Sequence, residues 1–273
     1  MNRSDGAVVP GKHVNVLGVE VSVLNLELAW QRIAEAIERR RSGYVCVTGV
    51  HGVCESLDNP EFRRILNDAF LNTPDGMPLV WLGRMNGFRE MDRVYGPDLM
   101  ELVCERSAER GWRHFFYGGA PGTVELLRDR LVTRFPGLRV VGCFSPPFRP
   151  LNPEEESDLV QQVKEVRPDI FWVGLSTPKQ EKFMSAYLHR LDTTLMFGVG
   201  AAFDFHAGKV RQAPKWVQRS GFEWFYRLLQ EPRRLWRRYL VNNPRFVWNL
   251  LLRQCGLRQF PAGRTDPYEE RGG

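Results

Sequence analysis

The chain has 273 residues, 43% hydrophobic and 26% charged, which supplies a full apolar core and excludes disorder of the whole chain. Its five cysteines, Cys46, Cys54, Cys104, Cys143 and Cys255, are odd in number and form no Cys-x-x-Cys pair; this argues against a disulfide framework or a cysteine zinc site and fits a reducing cytoplasm. The net charge of +6 is local, because residues 227–258 hold eight arginines against the single Glu231, so the rest of the chain sums to about −1 (6 − 7).

Residues 1–12 are polar and Gly-containing and are expected to be a loose tail with no export signal. No run approaches the roughly 18 apolar residues of a spanning helix, so any membrane contact is expected to be peripheral. From there, β-rich runs are predicted at 44–50, 114–117, 138–144, 169–175 and 194–199. Amphipathic stretches of helical length at 60–67, 77–86, 97–110, 123–135, 153–166 and 179–190 alternate with them. This alternation predicts an α/β protein with a doubly wound, mostly parallel sheet covered by helices on both faces. After Asp204 the texture changes, which places a core at 13–210, a basic, aromatic helical appendage at 211–258 and a second loose tail at 259–273.

In such a sheet, ligands bind beyond the carboxyl ends of the strands, where loops converge and helix N-termini point inward. Gly118-Gly119-Ala120-Pro121-Gly122 follows a strand and opens a helix, so its backbone could cradle a phosphate; a glycine turn serving only packing is an equal reading. The spacing is not a dinucleotide fingerprint. Asp75, between Pro74 and Gly76, reads locally as a turn or capping residue, and its place at the binding edge raises a second role as general base. Gln180 suits contact with a phosphate or sugar, beside Glu181, which could equally serve the helix dipole. Asp204 suits either ribose hydroxyls or a cap.

The chain has no Asp-x-Asp and its histidines lack metal-ligand spacing, so no metal and no cofactor is expected. An anionic phosphate ligand would then be neutralised by arginines, with Arg93, Arg227, Arg233, Arg234, Arg237 and Arg238 at hand. Interleaved with the C-terminal arginines are Trp216, Phe222, Trp224, Phe225, Tyr226, Trp236, Tyr239, Phe246 and Trp248. That composition suits the headgroup region of an anionic membrane; nucleic-acid binding and a helical flap on the core are its competitors.

Seven ordered segments then resemble the WecG/TagA/CpsF glycosyltransferases. They are Thr-Pro-Asp-Gly-Met-Pro-Leu-Val-Trp at 73–81, Arg-Val-Tyr-Gly-Pro-Asp-Leu at 93–99, Phe-Phe-Tyr-Gly-Gly-Ala-Pro-Gly at 115–122 and Val-Gly-Leu-Ser-Thr-Pro-Lys-Gln-Glu at 173–181. Gly-Val-Gly-Ala-Ala-Phe-Asp-Phe-His-Ala-Gly at 198–208, Arg-Gln-Ala-Pro-Lys-Trp at 211–216 and Glu-Trp-Phe-Tyr-Arg-Leu-Leu-Gln-Glu-Pro-Arg-Arg at 223–234 complete the set. The resemblance implies a Rossmann-like, inverting enzyme that uses a UDP-sugar donor without an Asp-x-Asp metal site. It implies a polyprenyl-diphosphate-linked saccharide as acceptor, at the inner face of the cytoplasmic membrane, in surface or exopolysaccharide biosynthesis.

Carried over by position, Asp75 looks like the catalytic base, Arg93, Gln180 and Asp204 like donor contacts, and Thr48 like part of the acceptor side. Arg227, Arg234 and Arg237 match arginines of an appendage that closes over the diphosphate, and Gly118 and Gly119 join the donor set. The family commonly has Asn two residues after the Thr; here Thr48 is followed by Gly49-Val50-His51, which leaves the acceptor-side place of Thr48 and His51 open. The expected partners are the donor, the lipid-linked acceptor and an anionic membrane surface, without nucleic acid, and with homo-oligomerisation left open. The reading from another class is a non-catalytic nucleotide- or nucleic-acid-binding module.

Overall fold

Strands and helices alternate along residues 11–263, which are those the computed structural model describes. An antiparallel hairpin of β1 (His13–Val16) and β2 (Val19–Ser22) opens the fold and leads into α1 (Leu26–Glu38), which Asn25 caps through its side chain. Next come β3 (Gly43–Thr48), α2 (Val50–Asp58), α3 (Pro60–Asn67), β4 (Leu71–Pro74), α4 (Met77–Met85) and α5 (Gly96–Arg110). The second half holds β5 (Arg113–Gly118), α6 (Thr123–Arg134), β6 (Arg139–Phe144), α7 (Pro153–Val166), β7 (Ile170–Gly174), α8 (Lys179–Tyr187) and β8 (Leu195–Gly198). Four helices close the described chain: α9 (Ala202–His206), α10 (Lys215–Arg219), α11 (Glu223–Gln230) and α12 (Pro232–Gln254).

Six strands form one parallel sheet in the order β4-β3-β8-β7-β5-β6, a Rossmann-like architecture. Side chains alternate between its faces, as the pleat requires. Tyr44, Cys46, Phe115, Tyr117, Phe171, Val173 and Met196 enter one apolar cluster with Val53, Phe62, Leu159 and Met184 from the helices on that side. Val45, Phe116, Ile170, Trp172, Leu195 and Phe197 enter the other, with Ile33, Leu99, Leu127 and Phe203. Each of these side chains contributes about 1.5–3 kcal/mol when fully buried, and that drive holds the two helical layers on the sheet.

The predicted run 44–50 ends as a strand at Thr48, because Gly49 caps α2 and Val50 already belongs to that helix. The hairpin, α1, α2, β4 and α9 were not expected as elements. β4 reads Leu-Asn-Thr-Pro, with no apolar alternation; its Asn72 is held instead by Ser22 Oγ, which accepts its N–H at 3.1 Å, and by the Glu20 carbonyl, which accepts from Nδ2 at 3.2 Å.

Residues 1–10 and 264–273, most of the two expected tails, lie outside the described residues. The described parts of those tails are held. The Lys12 carbonyl accepts from Val23 N–H at 2.8 Å, and Phe260 is buried, its carbonyl accepting from Asn15 Nδ2 at 2.9 Å. The boundary expected near 210 is not a break in packing either. α12 lies along α2, and its Phe246 belongs to the same apolar cluster as Val53 and Phe62.

Histidine burial gives the fold a pH dependence. His114 on β5 is fully buried; its Nδ1 accepts from Trp172 Nε1 at 2.9 Å, which leaves the proton on Nε2, 2.7 Å from Ser107 Oγ. Burial pushes its pKa down to about 3 from the ordinary 6.5. It is therefore neutral in the fold, while the unfolded chain takes up a proton below about pH 6.5. The stabilisation is complete above that pH and is lost as pH falls toward the folded value, by about 1.4 kcal/mol per pH unit. Urea unfolding of His114→Gln is accordingly expected to show a shallower loss of stability between about pH 6 and pH 4, by one proton's worth of slope. Equal slopes for the two proteins would mean that His114 is not held neutral.

Candidate functional site

The carboxyl edge of the sheet positions two groups of residues. The first surrounds the ends of β5 and β7, between which the chain leaves in opposite directions, to β6 on one side and β8 on the other. Gly118 and Gly119 lie here, both with positive φ (130° and 74°). A Cβ on Gly118 would stand 2.6 Å from the Gly174 carbonyl oxygen, and Gly119 N–H donates to that same oxygen at 3.1 Å. Close strand packing thus accounts for Gly118, while Gly119 and Gly122 lead into the N-terminus of α6. Asp204 is half-buried in the short helix α9, and its backbone carbonyl accepts from the Lys209 N–H at 2.9 Å.

The second group gathers where β3, β4 and β8 end beneath α11 and α12. Thr48 and Pro74 are register partners, and Asp75 N–H donates to the Thr48 carbonyl at 3.0 Å, so the turn after β4 is fixed to the end of β3. Arg93 arrives on a segment laced to the same place. Val94 N–H donates to the Pro74 carbonyl at 2.9 Å and Arg93 Nε donates to the Asp75 carbonyl at 2.5 Å. From above, α11 inserts Glu223 and Arg227, one helical turn apart, and α12 inserts Arg238. Arg93 Nη2 is ion-paired with Glu223 Oε2, with both side chains largely buried.

Burial raises the Asp75 pKa; Arg93, Arg227 and Arg238 oppose that rise and Glu223 adds to it. Burial likewise raises Glu181, against hydrogen bonds from Gln180 Nε2 at 3.0 Å and Thr177 Oγ1 at 2.8 Å. Burial and the neighbouring Arg227 charge lower Arg238. Gln180 also donates from Nε2 to the Gly198 carbonyl at 3.1 Å, leaving its Oε1 for another donor. Thr48 Oγ1, Thr73 Oγ1, Asp75 Oδ1, Gln180 Oε1, Glu181 Oε2, Arg227 Nε and Arg238 Nε are all buried without a hydrogen-bond partner. Seven such atoms gather at one sheet edge, an arrangement suited to a polar ligand that would supply the missing partners.

His51 stands at the junction of α2 with α12. Its Nδ1 accepts from Asn242 Nδ2 at 2.9 Å, and burial, followed by the Arg238 charge, pushes its pKa down to about 4. Its observed contacts thus tie the appendage to the core. Of the expected appendage arginines, Arg227 enters the site, its guanidinium 5.4 Å from the Phe205 ring centre. Arg234 and Arg237 face outward, the first paired with Glu231 at 2.7 Å and the second over Trp236. Arg238 takes the inward place. Glu223 opens the matching segment at 223–234 and had no expected role there. Its spacing from Arg227 was the signal, since positions four apart share a helix face.

The carboxyl edge of this Rossmann-like sheet thus gathers the Asp75 carboxylate and three arginines, a charge arrangement suited to an anionic, polar ligand. Residues 14–260 match the glycosyl transferase WecG/TagA/CpsF family, and the chain belongs to that family. Among curated relatives, it is 28% identical over 215 residues to an N-acetylglucosaminyldiphosphoundecaprenol N-acetyl-beta-D-mannosaminyltransferase of Bacillus spizizenii, covering 79% of this chain and 81% of that one. A protein of the same name from Bacillus subtilis is 26% identical over 205 residues, covering 75% and 77% respectively.

Proposed function

We propose that this chain transfers a hexose-type sugar from a UDP-sugar to a polyprenyl-diphosphate-linked saccharide at a membrane surface, in surface or exopolysaccharide assembly. The observation that carries this reading is the set of orphaned polar atoms around Asp75 and its arginines. The names of the relatives support a lipid-diphosphate acceptor.

In the reaction the acceptor hydroxyl oxygen bonds to the anomeric carbon of the donor. Asp75 takes the hydroxyl proton, and the bond from that carbon to the diphosphate breaks on the opposite side with inversion. The electron pair leaves on UDP, where Arg227 and Arg238 oppose the growing charge. Arginines aimed at charge that develops during reaction raise turnover rather than affinity. Thr48 and Gln180, with open oxygens, would accept hydrogen bonds from sugar hydroxyls, Asp204 would meet the uridine of the donor, and Gly118 and Gly119 its phosphates.

No helix among the described residues is long and apolar enough to cross a membrane. Trp236, Leu240, Val247, Trp248 and Leu251 are nevertheless exposed on α12, and several of them line an apolar hollow of about 440 Å³ with Trp224 and Tyr239. This face, with Arg233, Arg234 and Arg237 beside it, suits an interfacial helix seated among anionic headgroups.

The test is UDP release from UDP-sugars with and without a polyprenyl-diphosphate saccharide. Release that needs the acceptor supports transfer; binding without release under either condition makes the chain a nucleotide-binding module. Among the described residues no cluster of three His, Cys, Asp or Glu side chains could hold a metal. With Arg227 and Arg238 proposed to take the charge of the leaving diphosphate, turnover is expected to persist in EDTA, and a loss restored by magnesium or manganese would place an essential ion in the reaction.

A further inference from the structure

Arg93 has two carboxylates within reach, and the structure shows which one it takes. Its Nη2 pairs with Glu223, its Nε is occupied by the main-chain carbonyl of Asp75, and its guanidinium lies 4.0 Å from the ring centre of Tyr95. The Asp75 side chain is left with Oδ1 unpartnered. Without Glu223, Arg93 keeps Nε on the Asp75 main-chain carbonyl, but its Nη2 loses its carboxylate partner and can turn to clamp the nearby Asp75 carboxylate by a charge-assisted hydrogen bond. A carboxylate so clamped is a poor proton acceptor.

We infer that Glu223 is a positioning residue: delivered by α11, it holds Arg93 away from the Asp75 carboxylate and so keeps that group free to accept the acceptor's proton. The inference rests on Asp75 being the base of the reaction proposed above. It makes assembly of the base conditional on the appendage, since the carboxylate that frees Asp75 comes from α11.

The charged groups around Asp75 are Arg93 from the segment before α5, Glu223 and Arg227 from α11, and Arg238 from α12, with the Tyr95 phenol beside Glu223. Glu223 is one of the influences that hold the Asp75 pKa up, after burial itself, and Arg93 is the main one that draws it down. Removing the Glu223 charge both deletes the first influence and releases the second.

Glu223→Gln, nearly the same shape without the charge, is therefore expected to move the acidic limb of the kcat–pH profile to lower pH. It should also lower plateau kcat about tenfold or more, since a weaker base transfers protons less well, while KM for the acceptor changes little. In an Asp75→Asn background the same substitution should have no further effect on kcat. Lower kcat with an unmoved acidic limb would make Glu223 a structural strut and overturn the inference. If Glu223→Gln does not fold, Glu223→Asp, which keeps the charge on a shorter arm, is expected to shift the limb in the same direction by less, and no shift overturns the inference there too. Full turnover by Asp75→Asn alone is a different result, which removes the base on which the inference stands.

Discussion

Asp75→Asn is expected to lower transfer roughly 10²–10⁴-fold, the usual contribution of a positioned base, with the fold and UDP binding retained. Asn has almost the shape of Asp, its backbone N–H still reaches the Thr48 carbonyl, and its carbonyl still receives Arg93. What changes is charge. As the base of the proposed reaction Asp75 would carry a negative charge facing Arg93, Arg227 and Arg238, so removing that charge leaves the site more positive. UDP affinity should therefore hold or rise while turnover collapses, a split that loss of folding cannot produce. Calorimetric titration with UDP beside single-turnover transfer reads both quantities. Normal turnover in the variant would return Asp75 to the role of a turn residue between Pro74 and Gly76.

Arg238→Ala and Arg227→Ala are each expected to reduce kcat by roughly 10²–10³, the range for removing one preorganised donor from a developing anion. Both side chains are half-buried, with Nε itself buried and unpartnered, so neither is engaged in holding the fold at that atom. Arg234→Ala and Arg237→Ala, which remove outward-facing groups, should leave turnover on a soluble short-chain acceptor within a few-fold and act instead on vesicle binding. Comparable losses of turnover from all four substitutions would mean that α12 turns on binding substrate.

Deleting everything after residue 211 would be a poorer test of attachment, because Leu235, Phe246 and Phe260 leave the buried interior with it. Nor does the local charge of +7 face a membrane as a whole. Arg227 and Arg238 point into the site, Arg245 is paired with Asp58, and Arg253 donates to the Asn15 carbonyl at 2.7 Å.

Much of the architecture was legible because it follows from periodicity. The helices at 60–67 and 153–166 coincide with α3 and α7, whose ends carry side-chain caps from Asn59 and Asn152. β4 escaped because a four-residue edge strand with polar Asn72 and Thr73 has no pattern of its own; it exists through the bonds its neighbours make to it. At the site, Asp75, Arg93 and Gln180 were legible from turns and matching segments, and they converge. Glu223 and Arg238 were not, since their meaning depends on which way α11 and α12 roll onto the core. The roll of α12 can be read in hindsight from its own sequence. Leu235 and Phe246, buried three turns apart, mark the inner face, and Arg238, Asn242 and Asn249 fall on it, whereas Arg234 and Arg237 fall beside it.

The hydrogen bond from Asn15 to Phe260 joins the first strand to nearly the last described residue, 245 positions later. On the ribosome, at roughly 5–20 residues per second, the hairpin emerges on the order of 10–50 s before its partner. The sheet can be paired long before then, yet the seat for Phe246 and Phe260 stays uncovered and Arg238 is absent from beside Asp75. Finishing the core and finishing the site are thus the same late event in synthesis. A nascent chain that stalls in α12 has neither, and exposes a ready apolar surface for a chaperone to hold.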